Sequence, residues 1–222
     1  MNIEELLDSR RQVKRFDHIN IPDKSLIKSL LDTTWRLVPS KQQLMPYKVH
    51  VLGPEHKKEK EIIFDQSTKV EELIQGIKDK PKEVKYNSNA CFHILAPYLL
   101  IFTPRLSKGS PAVQQRIKDG HEYTVCDPKR YREEVQITSI EVGMFASTLS
   151  ALALEKEIDV SYNKNFCHWP KFKEYWKELP FVDEPPYLLM SLGYKRYKNR
   201  IISRPLIEDE YKENIDDIIN WV

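Results

Sequence analysis

VQITSIEVGMFASTLSALALE, residues 135–155, is the stretch on which the architecture turns. It is long enough for six turns of helix, and it is apolar nearly all round rather than along one stripe. A helix of that kind must be covered on most of its surface. The pattern predicts a long central helix over about 133–156, buried by the rest of the chain. Before it, YLLIF at 98–102 is a continuous apolar run stopped by Pro104, which predicts a strand covered on both faces. After it, YLLMSLG at 187–193 predicts a second such strand, and residues 47–52 alternate before Gly53-Pro54 and predict a third. Pro22-Asp23-Lys24-Ser25 opens a helix with Leu26, Ile27, Leu30, Leu31 and Trp35 at helical spacing, which Pro39 ends. Residues 3–9 predict a short helix, and the charged segment 55–80 a further one anchored by Ile62, Ile63, Leu73, Ile74 and Ile77. Helices and apolar strands around one central helix make an α+β chain. Residues 105–132 form an excursion or lid, and residues 205–222 a C-terminal extension of a single domain.

The chain has 222 residues, enough for one domain with a full core. Its 35 basic and 33 acidic residues nearly cancel, so no basic field drives it to nucleic acid. Three cysteines, Cys91, Cys126 and Cys167, include no C-x-x-C pair and fit a reducing compartment. The start, MNIEELLDSRR, lacks the apolar core of a secretory leader, and the apolar run at 94–102 is far too short for a membrane span. These features predict a cytoplasmic protein with no membrane partner.

The six glycines cannot be assembled into G-x-G-x-x-G or a phosphate loop, and neither H-E-x-x-H nor G-x-S-x-G occurs. Cys167-His168 is adjacent only in sequence. Cys91 and His93 have no further ligands spaced near them, so no metal site is predicted. What remains is a set of polar clusters. Arg10-Arg11-Gln12-Val13-Lys14-Arg15-Phe16 packs four cations into six residues, with Val13 and Phe16 marking a buried side; arginine suits phosphate because its planar fork donates two parallel hydrogen bonds. Pro39-Ser40-Lys41-Gln42-Gln43-Leu44-Met45-Pro46-Tyr47 joins a helix to a strand. Asn87-Ser88-Asn89 precedes the apolar run, and Arg200 and Arg204 follow the last strand.

In this order and spacing the clusters resemble the nitroreductase family. SRRQVKRFD resembles its Arg-Arg-Ser-x-Arg-x-Phe opening, and PSKQQLMPY its Pro-Ser-x-x-Asn-x-Gln-Pro-Trp loop. EVGMFASTLSALAL resembles its central helix, and LLMSLGYK its closing strand. The likeness spans most of residues 8–205 apart from 55–85 and 105–132. It implies a sandwich of central antiparallel or mixed sheet flanked by helices, a homodimer, and FMN at the dimer interface. By the same resemblance Arg10, Arg11 and Gln12 hold the phosphate and ribityl chain, and Lys14 lies near the flavin ring. Ser40, Lys41 and Gln43 come from the other subunit, Asn89 meets the pyrimidine edge, and Arg204 returns to the phosphate. The glycine-free loop 160–166, with Asn163 and Lys164, stands where the family brings a backbone N–H to flavin N5. No side chain is required as a catalytic acid, because the flavin carries the chemistry. The implied activity is hydride transfer from NADH or NADPH to a nitroaromatic, a quinone or a similar small acceptor. Flavin destructases, dehalogenases and azoline oxidases resemble the same pattern, and so does a flavin-binding protein without catalysis.

Overall fold

The computed structural model describes residues 3–10, 12–40, 43–74, 91–121, 132–163, 179, 186–196 and 219. The described elements are α1 (Ile3–Ser9), α2 (Lys24–Leu37), β1 (Tyr47–Leu52), α3 (Lys57–Ile74), a single 3₁₀ turn at Phe92–Leu95, β2 (Tyr98–Pro104), α4 (Pro111–Lys118), α5 (Arg132–Glu155), β3 (Asp159–Asn163) and β4 (Leu188–Gly193). The strands form one sheet in the order β1-β2-β4-β3, with every neighbouring pair antiparallel. The architecture is α+β, and α5 is its long central helix.

Local chemistry sets the ends of the helices. Asp23 caps α2 by accepting from Ser25 N at 2.7 Å, and the helix stops where Val38 turns extended before Pro39, which has no N–H to continue it. Ser110 caps α4 by accepting from Val113 N at 3.3 Å, with Pro111 in the first turn, where its missing N–H costs nothing. α4 lies in the segment read from sequence as an excursion.

β2 is the spine of the sheet. From Leu99 to Phe102 its residues are fully buried, as the unbroken apolar run requires. Its alternate side chains feed two cores. Leu100 and Phe102 join Tyr47, Met190, Leu192 and Val160 beneath α2 and α5, where Phe145 and Leu149 of α5 fill the layer. Phe145 meets Phe102 and Tyr47 edge-on at ring centroid distances of 5.7 and 5.8 Å. Leu99 and Ile101 face the other way, with Leu189, against Ile63 of α3 and Ile94 of the 3₁₀ turn. Full burial of side chains this size is worth roughly 1.5–3 kcal/mol each, so the two layers fix the sheet.

Between Val135 and Leu154, α5 carries one charged residue, Glu141, and that carboxylate is buried. Its exposed side shows Val135, Gln136, Ser139, Ile140, Gly143 and Ser147. Leu7 of α1 and Trp35 and Leu37 of α2, on the two helices packed against α5, are also half or more exposed. α5 is long and apolar enough to cross a membrane by composition alone, but its other face fills the core against the sheet.

The segment after α5 departs from the sequence reading. Residues 159–163 are not a loop but the strand β3, outermost in the sheet among the described residues. The chain leaves α5 through Glu157 in a left-handed conformation, φ 58°, which Ile158 N closes by donating to Ala153 O at 2.9 Å. Ser161 and Asn163 sit deep in the structure although they are polar, so the polar side of the alternation does not face water.

Candidate functional site

Residues 12–17 run across the β3–β4 end of the sheet. Val13 and Phe16 are buried against Ala96, at the junction of the 3₁₀ turn and β2. Phe16 bridges to Lys195; Arg196 N donates to Arg15 O at 3.1 Å and Asp17 N to Tyr194 O at 2.7 Å. The segment comes so close to β4 that a side chain at Gly193 would meet Pro97 at 2.9 Å and Phe16 at 3.0 Å. At the other end, the Gln12 carboxamide makes two bonds to one residue: Nε2 donates to Tyr162 O at 2.8 Å, and Oε1 accepts from Tyr162 N at 3.2 Å. Its amide is spent on holding this segment to β3.

That anchoring sets out the polar side chains. Arg10 is exposed at the end of α1, where its own N donates to Leu7 O. Lys14 is half-buried, and its charge reaches His93 of the 3₁₀ turn. Arg15 lies over the Phe92 ring, 4.7 Å from its centroid, a cation–π contact between segment and turn. The turn is tied to the sheet by side chains: Asn163 Nδ2 donates to Cys91 Sγ at 3.1 Å, and Ser191 Oγ to His93 O at 2.6 Å. Lys60 of α3, itself buried, caps the turn by donating to Ala96 O at 2.8 Å and Pro97 O at 3.0 Å. Burial lowers the Lys60 pKa to about 8. Burial, and then the charge of Lys14, push His93 down to about 4, so its imidazole is neutral. Among the described residues no group of three or more His, Cys, Asp or Glu converges as a metal site.

The loop before β1 lies elsewhere. Ser40 Oγ donates to Glu141 Oε2 of α5 at 2.8 Å and accepts from Met45 N at 3.0 Å. Gln43 and Met45 both take left-handed backbone, φ 55° and 43°, and the exposed Gln43 donates its N to Ser40 O. Burial and the Glu141 charge raise the pKa of Tyr47, the first residue of β1.

The structure therefore brings Gln12, Lys14 and Asn163 together at the β3 edge. Ser40 and Gln43 stand at the β1 edge, three interstrand spacings away, about 14 Å. Arg11, Lys41, Asn89, Lys164 and Arg204 lie outside the described residues. Sequence reasoning missed Tyr162, the backbone partner of Gln12, because that pairing joins residues 150 positions apart. It weighed His93 as a metal ligand and, at Phe92-His93, as a second basic partner for the flavin, and kept neither reading.

No family model and no curated protein sequence matches the chain. Solved structures do. A nitroreductase with bound FMN from Desulfitobacterium hafniense superposes with a TM-score of 0.63 at 16% identity, covering 100% of this chain and 99% of that one. A nitroreductase family protein from Streptococcus pneumoniae gives 0.60 at 16% identity, with 100% of both chains covered. A BluB-like flavoprotein from Clostridium difficile gives 0.62 at 13% identity, covering 100% and 99%. The likeness runs end to end at low identity, which makes it one of architecture: the chain adopts the nitroreductase fold.

Proposed function

We propose that the protein is an FMN-dependent oxidoreductase that works as a homodimer, taking hydride from NADH or NADPH and passing it to a nitroaromatic, a quinone or a similar small acceptor. The observation that carries this reading is the segment 12–16, fixed to the β3–β4 end by Gln12 and Phe16, in a fold whose solved representatives include nitroreductases with bound FMN. The residues present suit such a group. Arg10 is exposed to meet a phosphate, and Lys14 holds a cation half-buried at the same end.

FMN, when bound, supplies the hydride-accepting and hydride-donating chemistry, and the chain supplies binding, orientation and charge. In this reading Arg10, Arg11 and Arg204 grip the phosphate. Gln12, held on Tyr162, sets the path of the ribityl chain, and Lys14 and Asn89 face the polar edge of the ring. Asn163, the last residue of β3, and Lys164, next in sequence, are assigned to the side of the reactive nitrogen. Ser40 and Gln43 stand at the opposite edge of the sheet from Lys14, so in this reading they, with Lys41 of the same loop sequence, complete a partner's site rather than their own. The uncharged outer side of α5, with Trp35, Leu37 and Leu7 exposed nearby, is the surface that supports a second copy. Water leaves that surface only if another apolar surface covers it, and a stable dimer typically buries more than about 2,000 Å².

The test is a fluorescence titration of apoprotein with FMN, followed by NADPH oxidation with a quinone and a nitroaromatic. Arg10→Ala and Arg204→Ala are each expected to weaken FMN by roughly 10- to 150-fold, the worth of one charged hydrogen bond, and Lys57→Ala on the surface of α3 to leave it unchanged. FMN bound as tightly by both arginine variants as by the Lys57 control would refute the phosphate grip. A second reading, a different flavin enzyme on the same scaffold such as a flavin destructase, rests on the likeness to the C. difficile flavoprotein. Loss of the flavin chromophore itself on exposure of the reduced protein to oxygen would favour it.

A further inference from the structure

A carboxylate taken out of water inside an apolar helix destabilises the fold unless hydrogen bonds meet its charge. Glu141 of α5 is only 3% exposed, and its Oε2 accepts the hydroxyl proton of Ser40 at 2.8 Å. That bond joins residues 101 positions apart and ties the loop before β1 to the central helix. Ser40 Oγ has a single proton, so its oxygen is left to accept, and it accepts from Met45 N at 3.0 Å. Ser40 O in turn accepts from Gln43 N at 3.1 Å. Within these bonds Gln43 and Met45 are left-handed although neither is glycine, a conformation that persists only where the surroundings impose it. The far side of the loop is held separately. Arg105 Nη2 donates to Leu44 O at 3.2 Å and to Met45 O at 3.0 Å, and the Ser107 hydroxyl donates to Leu44 O. Leu44 is buried and Gln43 is left exposed. Glu141 follows Ile140 on the helix whose outer side supports a second copy in the reading above.

We propose that Glu141 is a positioning residue: through Ser40 it fixes the left-handed turns at Gln43 and Met45 of its own loop, and so presents Gln43 to the flavin site of the partner subunit. This rests on the flavin and homodimer reading above. It gives Ser40 a different part from that of a ligand donor, because its one proton is committed to Glu141 inside its own chain. The carboxylate touches neither flavin nor substrate. It acts through the loop, and the site it serves lies in the other subunit.

Because the loop serves the partner, the decisive readout is a mixed dimer. Glu141→Met keeps the length of the side chain within α5 but removes the acceptor. The full-length homodimer is expected to bind FMN on the order of 10-fold more weakly, the worth of one misplaced hydrogen bond. Ser40→Ala cuts the same link from the other end, so it should weaken FMN by a similar factor, and the double variant by no more than either. Two independent defects multiply, and that result overturns the link. Differently tagged Glu141→Met and Arg10→Ala chains, coexpressed and purified through both tags, give dimers in which one site has an intact basic segment and an intact loop and the other has neither. Fluorescence titration with FMN should then find one site of wild-type affinity per dimer, although neither parent homodimer has any. Mixed dimers without a tight site, from parents that each bind FMN more weakly than wild type, overturn the proposal, since the carboxylate then acts within its own subunit. Glu141→Met that binds FMN within about twofold of wild type overturns it as well and leaves the flavin reading standing. Wild type that fails to bind FMN overturns the flavin reading, and the proposal with it. Should Glu141→Met not fold, Ser40→Ala takes its place in the mixed dimer, and the same outcomes decide.

Discussion

Removing the Gln12 carboxamide tests whether a single side chain holds the N-terminal segment on the sheet. In Gln12→Ala two hydrogen bonds disappear, of 2.8 and 3.2 Å, both to the backbone of Tyr162. A neutral hydrogen bond contributes about 0.5–1.5 kcal/mol net. Gln12 is exposed, so water can replace it on Tyr162 and the lower half of that range applies. The expected loss is about 1–2 kcal/mol in urea unfolding of the apoprotein, or roughly 2–8 °C in melting temperature for a chain of this size. Gln12→Asn is one methylene shorter and cannot reach both backbone atoms while Val13 stays buried, so it should lose nearly as much. Gln12→Glu keeps the acceptor for Tyr162 N but not the donor for Tyr162 O, and should fall between. Equal unfolding midpoints for wild type and Gln12→Ala, within about 0.3 kcal/mol, would show that Val13 and Phe16 hold the segment unaided and that the amide pairing carries no weight.

Lys60→Met should destabilise by about 1–3 kcal/mol, because Ala96 O and Pro97 O lose their buried donor. The folded-state pKa of Lys60 lies near 8, below its ordinary 10.5, so the folded protein binds fewer protons than the unfolded chain between those values. Wild-type stability should therefore carry a contribution that rises with pH from about 8 toward 10.5 and is absent in Lys60→Met; matching pH profiles in denaturant melts would refute it. Gly193→Ala must push against Pro97 and Phe16 and should cost about 1–3 kcal/mol by the same assay, with a neutral result showing that the 12–17 segment yields freely. If the proposed dimer forms through α5, Ile140→Glu, which puts a charge on its uncharged outer side, should sediment near 26.3 kDa and wild type at twice that; a dimer that survives the change would move the interface elsewhere.

Most of the scaffold was legible in the sequence because its burial is expressed as composition. α5 was expected over about 133–156 and spans Arg132–Glu155, and the runs expected to be buried strands became β2 and β4. α2 begins one residue past its Asp23 cap, as the Pro-Asp-Lys-Ser signal implied. β3 was lost for a physical reason. Its five residues alternate, Val160 and Tyr162 apolar between Asp159, Ser161 and Asn163, but the run is too short to stand out, and the polar Ser161 and Asn163 are buried rather than facing water. α4 was overlooked although Ser110-Pro111 is a sound helix start, because only Val113 of its residues is buried and the amphipathic stripe is faint. At the candidate site, the basic segment could be named residue by residue, but its attachment could not. Gln12 meets Tyr162, Lys14 acts on His93, and Asn163 meets Cys91, each across 70 or more residues of chain. Only the fold makes those pairs neighbours.

The same Gln12 pairing bears on aggregation. Among the described residues β1 and β3 are the outer strands of the sheet, and an outer strand offers unpaired N–H and C=O groups to any passing chain. β1 answers with a lysine, Lys48, exposed along its length. β3 is only five residues long, and its outward backbone groups at Tyr162 are already occupied by a carboxamide that imitates one peptide unit of a neighbouring strand. A foreign strand would have to evict that amide before it could dock. The residue that seats the basic segment thus also stoppers the sheet: among the described residues, one side chain occupies the outward backbone of β3 at Tyr162.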